Sequence, residues 1–202
     1  MLIIDCEQRS DQWFKERLGK PSASNFGRII TPTGKRSEQR VKYMYELADG
    51  LISGIVRPKY KSQAMKEGSD REPESRALYE LINGVEVAQI GLIYPDEWKM
   101  YCCSPDGIVF EQEKGLEMKN VDPDTQIEAL ISGKMPDKHI PQIQGGMLVT
   151  GYNAWDYLSY CPGLSPFIVE IKRNEVFQKK LIEELDAFNT ELLNLVEKIK
   201  KL

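Results

Sequence analysis

One histidine, His139, stands in the 202 residues. With no second imidazole, a His-based catalytic triad or a His-rich zinc site is not expected. Four cysteines (Cys6, Cys102, Cys103 and Cys161) form no CxxC pair. Cys102 and Cys103 are adjacent, and neighbours in a strand point to opposite faces, so they make poor disulfide partners. A reduced, cytoplasmic setting is the expectation. No apolar run approaches the roughly 18 residues that cross a bilayer, and no secretory leader is read at the start. Internal repeats and low-complexity segments are absent as well.

A net positive charge is also missing: the formal charge is −4. Its distribution is uneven. Residues 1–66 hold 13 Lys/Arg against 7 Asp/Glu, whereas residues 67–202 hold 14 against 24. A polyanion could approach the first third while a cation sits in the acidic remainder. Ordinary scatter of surface charge would look the same. The length suits one domain, and 41% hydrophobic residues with three Trp suffice for a core. We divide it into a basic helical part (1–66), a central core (67–172) and a C-terminal helix (173–202).

What is present is concentrated between Ser104 and Asn120. Ser104-Pro105-Asp106-Gly107 precedes an apolar run, Ile108-Val109-Phe110, that suits a buried strand. A polar turn, Gln112 to Gly115, leads to a returning strand, Leu116-Glu117-Met118-Lys119-Asn120. Side chains alternate in a strand, so Glu117 and Lys119 share a face and Asp106 can meet them across the hairpin. Two carboxylates and an ammonium on one patch suit a divalent cation with hard oxygen ligands such as Mg²⁺. The lysine is then left to orient or deprotonate a water, as in metal-assisted phosphodiester hydrolysis. A solvated hairpin with a cross-strand ion pair is the plainer alternative.

Around this hairpin the pattern is mixed. Ser10 caps a helix carrying Trp13, Phe14 and Leu18, with Arg17 in its last turn before Gly19. Ser22 or Ser24 opens a second short helix, and its N-terminus beside Arg17 suits a phosphate, or is plain capping. Lys35 and Arg36 lie in a basic loop, and a long amphipathic helix runs from Ser37 to Gly54. Residues 55–66 read as a basic loop or arch. Pro73 and the acids Glu72 and Glu74 mark a helix start, either acid being a possible further carboxylate or a partner of the helix dipole. Strands are expected over Val85–Tyr94, Met100–Cys103, Ala154–Tyr160 and Phe167–Lys172. Helices are expected over Pro123–Ile131 and His139–Val149, the latter bearing Gln142, Gln144 and a Gly145-Gly146 pair that implies close packing or a bend. Leu181, Leu185, Phe188, Leu192, Leu195, Ile199 and Leu202 form a heptad seam on a last helix from Glu175, covering the sheet or meeting another subunit. The expected fold is α/β: a mixed sheet of about five strands flanked by helices.

Several segments together resemble the phage lambda-type exonucleases, the YqaJ-like viral recombinases of the PD-(D/E)xK nuclease superfamily. They are Gln8-Arg9-Ser10 with Trp13, Arg17-Leu18-Gly19 before Ser22-Ala23-Ser24, Gly68 with Glu72 and Arg76, Cys103 to Gly107, Gly115 to Lys119, and Gln142-Ile143-Gln144. The resemblance implies a restriction-endonuclease-like core and two Mg²⁺ ions, with Mn²⁺ a possible substitute. By it, Asp106 would share the metals, Glu117 and the Met118 backbone carbonyl would complete one site, and Glu72 would add a carboxylate. Lys119 would handle the attacking water, Gln142 would join the active site, and Arg17 with Ser24, and Ser22 beside it, would hold a 5′-phosphate. Lys35 and Arg36 are further DNA-binding candidates, and Met65 a candidate wedge between strands. One departure is plain: many relatives have Cys-Pro directly after the catalytic lysine, whereas Asn120-Val121-Asp122-Pro123 stands here, so a different shape is expected for that loop.

The implied activity is 5′→3′ digestion of double-stranded DNA ends, leaving 3′ overhangs for a single-strand annealing recombinase. A homotrimeric ring and a phage or prophage origin in the bacterial host cytoplasm follow from the same resemblance, and no membrane partner does. A site-specific or repair endonuclease with the same metal core, or a non-catalytic DNA-end binder, are the alternatives.

Overall fold

The computed structural model describes residues 1–57 and 63–202, without the side chains of 63–65. The chain opens with β1 (Leu2–Ile4) and α1 (Asp11–Arg17), then a 3₁₀ turn over Ala23–Arg28 and α2 (Arg40–Ser53). Next come α3 (Gln63–Asp70), α4 (Glu72–Asn83), β2 (Leu92–Tyr94), β3 (Gly107–Val109) and β4 (Lys114–Asn120). The remainder is α5 (Pro123–Ser132), α6 (Ile140–Thr150), β5 (Ala154–Tyr160), β6 (Phe167–Lys172) and α7 (Glu175–Lys200).

The main sheet has four strands in the order β3-β4-β5-β6, not about five. β3 and β4 form the expected antiparallel hairpin, with Gly107 opposite Leu116. β4 runs parallel to β5, so the chain crosses over through α5 and α6. β6 closes the sheet antiparallel to β5. β1 and β2 pair separately. The long strand expected over Val85–Tyr94 shrinks to β2 and one bridge, Ala88 to Ile108. That over Met100–Cys103 is likewise reduced to bridges, Cys102 to Ser22 and Cys103 to Ile93. Two residues break these ladders. A Cβ on Gly91 would lie 1.8 Å from the Cys6 carbonyl oxygen, so another chain segment crosses there. Pro105 has no N–H to continue a ladder from Cys103 into β3.

Residues 63–66, read from sequence as part of the basic arch, open α3. The helix read at Pro21–Ile30 is a 3₁₀ turn, and Ser22 makes no side-chain cap bond to it. Ser10 does cap α1, accepting from the Trp13 N–H at 3.2 Å.

α6 lies against one sheet face, where its paired glycines admit large rings. A Cβ at Gly145 would stand 2.4 Å from Phe26, and one at Gly146 2.7 Å from Trp155. α7 covers α2 and α6 from outside. Leu181, Leu185, Phe188 and Leu192 of its seam are buried in the same cluster as Phe26, Tyr43, Met44 and Trp155. Ile199 and Leu202, at 39% and 98% exposure, run past that core. The N-terminal part, the sheet and the last helix thus share one apolar interior. On the other sheet face Tyr79 of α4 packs with Leu116, Met118, Leu158 and Tyr160. Among the described residues, no helix is long and apolar enough to cross a membrane.

Candidate active site

The hairpin sets the site. Beyond the Gly107–Leu116 rung, the Asp106 carboxylate extends the pairing by accepting the Met118 N–H at 2.7 Å. That fixes Asp106 against the strand that presents Glu117 and Lys119. Glu117 is buried, at 3% exposure, and its Oε1 accepts from both Lys119 Nζ and Gln142 Nε2, the latter at 2.6 Å. Gln142 reaches it from the first turn of α6. Asp106, Glu117, Lys119 and Gln142 therefore form one contiguous group.

Its electrostatics are unbalanced. Burial and then the neighbouring Glu117 charge push the Asp106 carboxyl up to about 7, with Glu72 adding to the rise. The Lys119 ammonium and the Met118 N–H pull the other way without cancelling it. Burial works against the Lys119 charge, but Glu117 and Asp106 outweigh it and hold that pKa above the ordinary range. His139, at the entry to α6, packs against Tyr157 with the rings tilted by 32° and their centres 5.4 Å apart. Burial, reinforced by Lys119 and Lys138, pushes its pKa down to about 4.

Glu72 sits apart. It ion-pairs with Arg9 at 2.7 Å, and the two residues line a polar cleft with Gln8, Arg76, Gln89 and Asp106. Among the described residues no three His, Cys, Asp or Glu come together as a metal cluster. The donor set still suits a hard cation: two carboxylates, Asp106 and Glu117, share a buried place with more negative charge than Lys119 neutralises. Glu74, the other acid of that helix start, instead accepts from the Tyr160 hydroxyl.

Arg17 meets the same loop at Ser104, the residue before Pro105. It donates to Ser104 Oγ at 3.0 Å and to Ser22 Oγ at 2.8 Å, and stacks 3.9 Å over the Trp13 ring. Ser24 Oγ is 3.3 Å from Ser22 Oγ, and Asn25 donates to both hydroxyls. Among the described residues Arg17 makes no ion pair, so hydroxyls surround an unneutralised guanidinium. Such a fork suits a phosphate. Lys35 and Arg36 do not join this group: both are exposed, and Arg36 is paired with Glu184 of α7 at 2.9 Å. The Met65 side chain and residues 58–62 of the basic arch lie outside the described residues.

This geometry coincides with a sequence match: the model of the YqaJ-like viral recombinase domain fits residues 12–153. The chain belongs to that family. Its fold is similar to that of an alkaline exonuclease, LHK-Exo, from Laribacter hongkongensis, with 31% identity, TM-score 0.85, and 95% of this chain and 97% of that one covered. A second structure of LHK-Exo, in complex with dAMP, matches with TM-score 0.86 at the same identity and coverage. A phage-related exonuclease from Haemophilus somnus 129PT shares the fold, with TM-score 0.67, 14% identity, and 89% and 96% coverage. No curated protein matches.

In this member of the YqaJ-like family several side chains take places that the sequence leaves unassigned. Ser104 bridges Arg17 and the Trp13 indole N–H, which donates to it at 2.9 Å. Its position next to Pro105-Asp106 was the available signal. Gln8 donates to the Pro105 and Ile90 carbonyls, both at 2.8 Å, and so holds the loop that carries Asp106. Arg76 donates to the Asp106 carbonyl at 3.3 Å. Arg9 has a left-handed backbone, φ 69°, a conformation that costs a non-glycine residue about 1–2 kcal/mol.

Proposed function

We propose that the protein is a Mg²⁺-dependent 5′→3′ exonuclease acting on double-stranded DNA ends. One observation carries this reading. The hairpin brings Asp106, Glu117 and Lys119 together, on a chain 31% identical over 95% of its length to an alkaline exonuclease. The dAMP bound to that relative supports a nucleotide as the product class.

Asp106 and Glu117 would hold the cation, with the Met118 carbonyl and Glu72 as further ligands. When bound, the metal stabilises the charge that develops on the attacked phosphate. Lys119, held as an ammonium by its two carboxylate neighbours, orients the attacking water through its N–H groups. Gln142 fixes the Glu117 carboxylate by the 2.6 Å bond. Arg17, Ser22, Ser24 and Ser104 hold the terminal 5′-phosphate, which sets the register of the strand without reading its sequence. The 3′ overhang that remains would serve a single-strand annealing recombinase, and a homotrimeric ring would keep the duplex threaded. A phage or prophage protein would do this in the host cytoplasm.

An end-labelled linear duplex with Mg²⁺ tests the reading. Release of 5′-mononucleotides is expected, with a closed circular plasmid left intact. Nicking of the plasmid would replace the exonuclease reading with an endonuclease. A duplex with 5′-hydroxyl ends should be cut more slowly, and equal rates would remove the phosphate role from Arg17.

A further inference from the structure

Glu72 lines the same cleft as Asp106, but its carboxylate is held by a specific piece of structure. Residues 7–10 form a tight turn: the Ser10 N–H and hydroxyl donate to the Glu7 carbonyl at 3.2 and 2.7 Å. Gln8 fastens this turn to the Pro105 and Ile90 carbonyls, beside Asp106. Arg9 then adopts φ 69° and donates to Glu72 Oε1 at 2.7 Å. An exposed arginine on a free loop would have no need of that backbone; here the turn aims the guanidinium across the cleft at one carboxylate. The Glu72 charge is nonetheless felt at Asp106, whose carboxyl it helps to push up. Both partners remain open to solvent, with side-chain exposures of 44% and 31%, so the pair can exchange.

We propose that Arg9 is a positioning residue that occupies Glu72 as a stand-in cation and yields it to the divalent metal. This rests on the metal-dependent reading above. Arg9 lowers the affinity of the empty site for cations, because the metal must displace a guanidinium to recruit the third carboxylate. Once displaced, Arg9 becomes an unpaired cation on the wall of the cleft that Asp106 also lines. A phosphate of the bound strand is then its natural partner. Metal loading and DNA binding are coupled through one ion pair that opens, as linkage requires of two ligands that favour the same state.

The test is Mn²⁺ binding to the full chain without DNA, followed by electron paramagnetic resonance. Arg9→Gln is expected to bind Mn²⁺ about three- to ten-fold more tightly, a range set by the few-fold to hundred-fold scale of such couplings. Arg9→Lys should stay near the parent. Glu72→Gln should bind more weakly, and adding Arg9→Gln to it should change nothing further. An unchanged or weaker affinity in Arg9→Gln would overturn the proposal. So would tightening that persists in the Glu72→Gln background, since that reports only general charge. If the parent itself binds no Mn²⁺, the metal reading fails along with the proposal; if the parent binds and Arg9→Gln equals it, the proposal alone fails. Binding of a 5′-phosphorylated duplex with Ca²⁺ supplies a second readout. Arg9→Gln should lose affinity there relative to its metal-free binding, and an equal loss in both conditions would contradict the exchange.

Discussion

β4 carries Lys114 and Lys119 on opposite faces, and each meets a pair of carboxylates. At the Lys114 end, its ammonium reaches Glu170 at 2.8 Å and Asp156 at 3.4 Å, while the Tyr79 hydroxyl donates to the same Asp156 oxygen at 2.6 Å. Lys172 also stands 3.8 Å from Glu170, so two ammoniums meet two carboxylates there, and the hydrogen bond from Lys114 lowers the Glu170 pKa. At the Lys119 end, one ammonium faces Glu117 and Asp106, and the Asp106 carboxyl is pushed up instead. Residue types are nearly the same; the balance differs. A satisfied cluster braces the sheet, whereas a cluster with surplus negative charge keeps a standing demand for a cation. Composition of a patch therefore does not mark a site, but the sign of its uncompensated charge does.

The largest expected contrast lies in activity. Lys119→Ala and Asp106→Asn should each lower duplex digestion by about 10²–10³-fold, the range for losing one group that acts on the developing charge. Asp106→Asn should also raise thermal stability in metal-free buffer, because Asn still accepts the Met118 N–H and a like charge next to Glu117 is gone. A fall in stability would mean that the surplus charge is compensated after all. Asp156→Asn is the counterpart. Asp156 is buried at 5% exposure, and breaking its pairing should cost about 3 kcal/mol of unfolding free energy with digestion nearly unchanged. Loss of activity out of proportion to stability would erase the distinction between the two ends.

Sequence reading reached the two ends unequally, and the reason is range. The hairpin, β5 and β6 were legible because alternation and turn residues act over a few positions. Ala154–Tyr160 and Phe167–Lys172 are observed with the expected bounds. Gly145-Gly146 implied close packing or a bend, and Phe26 and Trp155 against them show the close packing. The region from Val85 to Cys103 misled, since Gly91 alone marks the chain crossing in a run that otherwise reads as a strand. Lys114 looked like a turn lysine, because its partners lie 42 and 56 positions away in the chain. The Arg9–Glu72 pair spans 63 positions and has no periodic signature. Gln142 was found through a family pattern, and its bond to Glu117 gives that pattern a geometric content.

Tyr79→Phe refines the satisfied end. It removes one hydrogen bond to a buried carboxylate and leaves the ring among Leu116, Met118 and Leu158. The expected loss is about 2 kcal/mol in urea unfolding, as for hydrogen bonds to charged groups. A loss below about 0.5 kcal/mol would place the weight of the cluster on Lys114 alone.

Glu170 should give the smallest effect and the clearest pH signature. Its side chain is 41% exposed, so its ion pair with Lys114 is screened by water and worth under about 1 kcal/mol. The hydrogen bond from Lys114, and then its charge, holds the Glu170 pKa below the ordinary 4.5. For a carboxylate whose folded pKa is depressed, the contribution is complete above the unfolded value and is lost as pH falls through the folded one. Glu170→Gln should therefore be slightly less stable than the parent at pH 7, and the difference should fade below about pH 4. Chemical unfolding at both pH values measures this directly. A difference that persists in acid would show that Glu170 stabilises β6 by packing or strand geometry, and the satisfied end would then owe its balance to the buried Asp156 alone.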